Sequence, residues 1–145
     1  MVTLEAILER NNLNRAYKQV KANRGGPGVD GMTVDEFLDY LRAHAVEIVE
    51  TVKAGKYKPQ PVRRVMIPKE EKGKFRPLGI PTAVDRVIQQ AIAQKLSDEY
   101  EPVFSLHSHG FRPCRSCRTA IDEALDIANQ GYVWVVDLDL SLIHI

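Results

Sequence analysis

Between Thr33 and Gly55 apolar residues return at helical spacing for five turns, and this stretch restricts the fold more than any other. Val34, Phe37, Leu38, Leu41, Ala45, Ile48, Val49 and Val52 fall on one side of a 3.6-residue repeat. Thr33 followed by Glu36 has the spacing of a capping box, in which hydroxyl and carboxylate each satisfy the other residue's backbone N–H. Gly55 is placed to stop the helix, because glycine adopts the left-handed conformation without strain. A shorter amphipathic helix is predicted over Leu13–Asn23, with Leu13, Ala16, Tyr17 and Val20 on its apolar side. The turn-rich segment Arg24-Gly-Gly-Pro-Gly-Val-Asp-Gly31 joins the two.

After Gly55 the pattern changes. Prolines hold Tyr57–Pro61 extended. Val62–Pro68 and Phe75–Ile80 are short β-prone runs on either side of the polar tip Lys69-Glu-Glu-Lys-Gly-Lys74, which predicts a β-hairpin. Pro68 and Pro77 remove ladder donors, so both runs suit edge positions. Thr82, with Asp85 three residues on, opens a further helix whose stripe is Val84, Val87, Ile88, Ala91, Ile92 and Leu96; Pro102 closes that segment. Glu101–Cys114 reads as a loop. Ser116 or Thr119 then caps a helix carrying Ala120, Ile121, Ala124, Leu125 and Ala128, which Gly131 ends. Tyr132–Leu140 alternates as a strand, with Trp134, Val136, Leu138 and Leu140 opposite Val133, Val135, Asp137 and Asp139. Helices, hairpin, helices and strand in this order make an α+β pattern.

The formal net charge of +1 conceals a polarised chain. Residues 51–100 carry 11 Lys/Arg against 5 Asp/Glu, while the flanking segments are net acidic. Lys53–Arg76 alone has nine basic and two acidic residues. Such local density suits a polyanion, nucleic acid or nucleotide phosphate, and equally suits a solvated hairpin surface. No apolar run reaches the roughly 20 residues of a membrane span, and the acidic, amphipathic N-terminus is not a signal peptide. Two cysteines without an export signal fit a reducing cytosol, with no disulfide framework.

Three short motifs carry chemistry on paper. Gly26-Pro-Gly28-Val-Asp-Gly31 has the letters of a dinucleotide fingerprint, but a helix precedes it where a strand is needed, and Pro27 sits in the phosphate turn. His107-Ser-His109 and Cys114-Arg-Ser-Cys117 offer four zinc-ligand types at a spacing uncommon in zinc fingers; packing cysteines at a helix start are the simpler reading. Asp137-Leu-Asp139 sets two carboxylates on one side of a strand. They suit a Mg²⁺ ion that draws its remaining ligands from water and phosphate, or they are acids at an exposed strand end.

Several longer runs together resemble group II intron reverse transcriptase/maturases. Val62-Arg-Arg-Val-Met-Ile-Pro-Lys69, Gly73-Lys-Phe-Arg-Pro-Leu-Gly-Ile-Pro-Thr82, Val84-Asp-Arg-Val-Ile-Gln-Gln-Ala-Ile92 and His109-Gly-Phe-Arg-Pro113 are similar to the fingers motifs of that family. Trp134-Val-Val-Asp-Leu-Asp139 resembles the start of its first palm motif. The resemblance runs in family order over about residues 11–140. It implies part of a right-hand polymerase: an N-terminal helical extension over 1–58, fingers over 59–131, and the start of a palm over 132–145. It further implies that Asp139 is a metal-binding, catalytic aspartate and that Mg²⁺ is the cofactor. Lys69 and Arg76 correspond to residues that grip the incoming triphosphate. Arg24, Arg63, Arg64, Lys72, Lys74, Arg112 and Arg115 are implied contacts for nucleic acid. The implied partners are group II intron RNA, an RNA template with its DNA primer, and dNTP, in the cytoplasm and without a membrane; a homodimer is left open.

This sequence departs from the family pattern at Cys114, where glycine or a basic residue is usual, and at Ser141-Leu-Ile-His-Ile145, which replaces the usual charged and aromatic continuation. The Tyr-x-Asp-Asp turn, source of the other metal-binding carboxylates, is absent from these 145 residues. The expectation is therefore a polymerase fragment that binds RNA and does not itself polymerise. The alternatives are a non-catalytic RNA-binding module for splicing and a small zinc-binding domain.

Overall fold

The computed structural model describes residues 1–138. Five helices and one hairpin succeed each other as α1 (Leu4–Ile7), α2 (Arg10–Ala22), α3 (Phe37–Lys53), β1 (Arg63–Pro68), β2 (Phe75–Ile80), α4 (Ala83–Tyr100) and α5 (Cys117–Asn129), with a 3₁₀ turn at Glu101–Val103. The chain gathers into two compact units, 1–100 and 101–145. This is the α+β architecture expected. Asp139, Leu140 and Ser141–Ile145 lie outside the described residues.

The core of the first unit lies where α2 crosses α4. Ala16 and Val20 of α2 meet Ala83, Val87 and Ala91 of α4, and Val34 and Phe37 close the cluster. Three alanines at this crossing let the helix backbones approach closely. A polar clamp sets the register: the buried Asn12 side-chain amide donates to the Ile7 and Ala91 carbonyls at 2.8 and 3.0 Å, and Gln94 donates to Asn12 Oδ1 at 2.8 Å. The Thr33–Glu36 box forms in the turn just ahead of α3, with the Thr33 N–H and hydroxyl donating to Glu36 Oε2 at 2.9 and 2.7 Å and the Glu36 N–H donating to Thr33 Oγ1 at 3.3 Å. At the other end Gly55 has φ +65°; its N–H bonds Val52 O, and the Lys56 N–H bonds Thr51 O. That pair of bonds is a Schellman motif.

Two expectations change. The apolar stripe is buried only at Val34 and Phe37; Leu41, Ala45, Ile48, Val49 and Val52 instead line an apolar cavity of about 650 Å³ against Leu13 and other α2 and α4 residues. Residues 132–138 form no strand among the described residues. A ladder needs a partner for its N–H and C=O groups, and the described residues of the second unit supply none. No helix among them is long and apolar enough to cross a membrane.

Candidate nucleic-acid interface

The hairpin is built as its sequence requires. β1 and β2 pair antiparallel from Arg63 opposite Ile80 to Pro68 opposite Phe75. The Lys69 N–H closes the ladder on Lys74 O at 2.8 Å, the Lys74 N–H returns to Glu71 O, and Gly73 takes φ +81° in the tip. Since side chains alternate across a pleated pair, Arg63, Val65 and Ile67 share a face with Ile80, Leu78 and Arg76. Lys69, two residues beyond Ile67, continues that face beside Arg76. Arg64 points the other way, with Met66, Pro68, Pro77 and Phe75. The register thus brings Lys69, Arg76 and Arg63 to one side and sets Arg64 apart.

Few of these cations have internal partners. Lys74 pairs with Glu71 within the tip. Among the described residues Arg63, Arg64, Lys69, Lys72 and Arg76 make no ion pair within 4.0 Å and are exposed, as is Arg24 in the glycine loop. That loop packs closely on the base of the hairpin and on α4. A Cβ added at Gly28 would lie 2.7 Å from Thr82 Cα, and one at Gly26 would lie 3.6 Å from Arg63 Nη2. At Gly25 it would collide with Arg86 Nη1. Glycine is required at 28 for close approach to the Pro81–Thr82 backbone, not for a nucleotide fingerprint, whereas at 25 the neighbour is the tip of the Arg86 side chain; α2 precedes the loop, as expected.

One residue that organises this region was legible only as a helix cap. Asp85 is buried and accepts from Thr82 Oγ1 at 2.7 Å, Tyr57 Oη at 2.7 Å and the Gln60 N–H at 3.2 Å. It thereby ties the extended segment before β1 to the start of α4. Burial first, and then the hydrogen bond to Asp85, push the Tyr57 phenol well above its ordinary range, so it remains a donor.

The second unit uses its cations differently. Arg112 is 8% exposed; Nε and Nη2 meet Glu101 at 3.1 and 2.8 Å, Nη1 reaches Ser105 O and Ser108 O at 2.6 and 3.0 Å, and Phe104 lies under the guanidinium. In this geometry Arg112 holds the loop together, where the resemblance implied a nucleic-acid contact. Arg115 donates to Leu106 O at 2.9 Å. His107 and His109 both meet Glu123 of α5, and His109 also bonds Thr119 Oγ1 at 2.9 Å. Those bonds hold the Glu123 carboxyl below its ordinary range. Cys114 and Cys117 are exposed and free, and no group of three or more His, Cys, Asp or Glu among the described residues is arranged for a metal. In this arrangement the histidines meet a carboxylate on α5 and not the thiols. Asp137 is exposed; Asp139 lies outside the described residues.

Arg86 is the residue that sequence reasoning missed. Its Nε and Nη2 are buried without a hydrogen-bond partner. The signal was present as a second stripe on α4: Arg86, Gln89, Gln90 and Ala93 recur at i, i+3, i+4 and i+7 beside the apolar one.

The hairpin and the helices after it also match known proteins. A family model described as reverse transcriptase (RNA-dependent DNA polymerase) matches residues 67–142. The chain is 41% identical over 126 residues to the group II intron-encoded protein LtrA of Lactococcus lactis subsp. cremoris, covering 87% of this chain and 21% of that protein. It is 39% identical over 144 residues to protein YkfC of Escherichia coli K12, covering 95% and 38%. It is also 33% identical over 129 residues to a putative COX1/OXI3 intron 2 protein of Saccharomyces cerevisiae, covering 87% and 14%. The chain therefore spans well under half the length of each of these relatives.

Proposed function

The chain belongs to the reverse transcriptase (RNA-dependent DNA polymerase) family, with group II intron-encoded proteins among its relatives, and on that premise we propose that it supplies the fingers of such an enzyme. Residues 1–58 act as the N-terminal extension, 59–131 as the fingers, and the segment from 132 opens the palm of a right-hand polymerase. The observation that carries this reading is the hairpin, where Arg76 stands opposite Ile67 and Lys69 follows the end of β1, both exposed and without an ion pair among the described residues. The Arg76 guanidinium offers paired donors to phosphate oxygens, and the Lys69 ammonium offers a compact charge. Together they bind the triphosphate of an incoming dNTP. Arg63, Arg64, Arg24 and Lys72 contact template and primer backbone, and the N-terminal helices contribute to binding intron RNA.

Asp137 and Asp139 provide the carboxylate oxygens that suit Mg²⁺, which accepts one or two protein carboxylates and completes its shell with water and substrate phosphate. When bound, Mg²⁺ supplies charge neutralisation at the triphosphate and acidifies the attacking hydroxyl. The 145 residues contain no Tyr-x-Asp-Asp sequence, so by themselves they bind RNA and nucleotide without extending a primer. Primer extension by these residues joined to a segment bearing that turn tests the assignment. Asp139→Ala should abolish extension while leaving RNA affinity unchanged; full extension by that variant would leave the splicing-module reading in its place. Lys69→Ala and Arg76→Ala should raise the nucleotide KM more than they weaken RNA binding.

A further inference from the structure

Helix α3 leaves much of its apolar stripe unpacked. Leu41, Ala45, Ile48, Val49 and Val52 line a groove of about 650 Å³ whose far wall is formed by α2 and α4. Val46, also on its lining, is 78% exposed. Apolar surface of this kind gains free energy when a second apolar surface displaces the water from it. The order of residues along α3 says what such a surface is. Asp39, Arg42, Val46, Glu50 and Lys53 follow at steps of three, four, four and three, so they lie along one stripe of the helix. Arg42, Val46 and Glu50 of that stripe line the groove. Arg42 Nη1 pairs with Asp39 at 3.1 Å and Lys53 Nζ with Glu50 at 3.3 Å; all four side chains are at least half exposed, which leaves each room for a second partner.

Read from its other end, this stripe exchanges acid for base. A second α3 laid antiparallel about Val46 puts Arg42 of each copy opposite Glu50 of the other, and Asp39 opposite Lys53. Arg42 and Glu50 each stand about 6 Å from Val46 along the helix axis, so their heights match. The apolar stripe has nearly the same centre, between Val46 and Glu47: Leu41 comes opposite Val52, and Ala45 opposite Ile48. A parallel partner would set Arg42 on Arg42 and Glu50 on Glu50, which repel. We infer that the α3 groove is the contact surface for a second copy of this chain, in an isologous pair with its two-fold axis at Val46. Each copy brings the same groove and the same charges, so one contact is made twice. The antiparallel arrangement also opposes the two helix dipoles. The pairing stands apart from the fingers assignment, since it uses none of the hairpin cations.

Sedimentation equilibrium of the 145-residue chain over a concentration series reads the pairing directly. The average mass should rise from that of one chain toward that of two. Val46→Glu sets two carboxylates together at the axis and should weaken association at least about a hundredfold. Because Val46 is exposed in the single copy, that variant should melt as the parent does at concentrations where the parent is monomeric. Arg42→Glu and Glu50→Arg should each weaken self-association about tenfold. An equimolar mixture of those two variants should recover it as a heterodimer, since each new charge then faces its opposite. Misfolding of either variant would not produce that recovery. A parent that keeps the mass of one chain throughout, a dimer indifferent to Val46→Glu, or a mixture that associates no better than its components overturns the proposal and leaves the groove to a different partner. If the copies pair as described while the chain binds neither RNA nor dNTP, the fingers assignment fails and this inference stands.

Discussion

The tripeptide Phe-Arg-Pro occurs twice, at 75–77 and at 111–113, and its two arginines have opposite fates. Arg76 projects from an isolated two-stranded hairpin with solvent around it and Ile67 across the ladder. Arg112 is enclosed by Glu101, two backbone carbonyls and the Phe104 ring. The local sequence does not distinguish them. The surrounding chain does: a two-stranded hairpin has no second layer to bring an acid over it, whereas the loop before α5 folds back on itself. Charge density in a sequence therefore marks a binding surface only where tertiary structure leaves the charges uncommitted.

The sharpest way to break the comparison is Arg112→Ala. It leaves Glu101 and two carbonyls without their donor and should destabilise the second unit by about 3 kcal/mol, read from denaturant unfolding. Arg76→Ala should change stability by less than about 0.5 kcal/mol in the same measurement. Equal losses at the two sites would erase the distinction. Next in size, Lys69→Ala/Arg76→Ala should weaken triphosphate binding at least about tenfold, which corresponds to about 1.4 kcal/mol; equilibrium titration with a labelled dNTP reads this directly.

A smaller effect separates the two faces of the hairpin. Arg63→Ala should weaken nucleotide and template binding several times more than Arg64→Ala, because only Arg63 shares the face of Lys69 and Arg76. The reverse order in a binding titration would place the functional face on the Met66 and Phe75 side. The smallest effect is in acid. His107 and His109 hold Glu123 below its ordinary carboxylate range. A depressed folded value stabilises above the unfolded value and is lost as pH falls through the folded one. Denaturant midpoints of the parent should thus fall in moderate acid, and those of Glu123→Gln should vary less over the same range.

Much of the architecture was legible before folding. The α3 cap and stop and the Thr82 and Ser116 caps arise from residues three to five apart, and the hairpin from a polar tip between two β-prone runs, so all are carried by neighbouring sequence. What escaped was long-range. Asp85 read as an N3 residue and proved to anchor Tyr57 and Gln60, 28 and 25 residues away in sequence. Arg86 read as one letter of a motif and proved to be a buried charge under a glycine loop more than fifty residues earlier.

By itself the sequence determined the α+β order, the hairpin and its positive charge, and the family, because periodicity, turn chemistry and ordered motifs are carried in neighbouring residues. Only the tertiary structure decided which cations remain available. It consumed Arg112 and Lys74 internally, turned Arg64 away from Arg63, set the histidines on Glu123 instead of the cysteines, and buried two Arg86 donors without a partner. A charge meets its partner through space, and separation along the chain does not say which partner that will be.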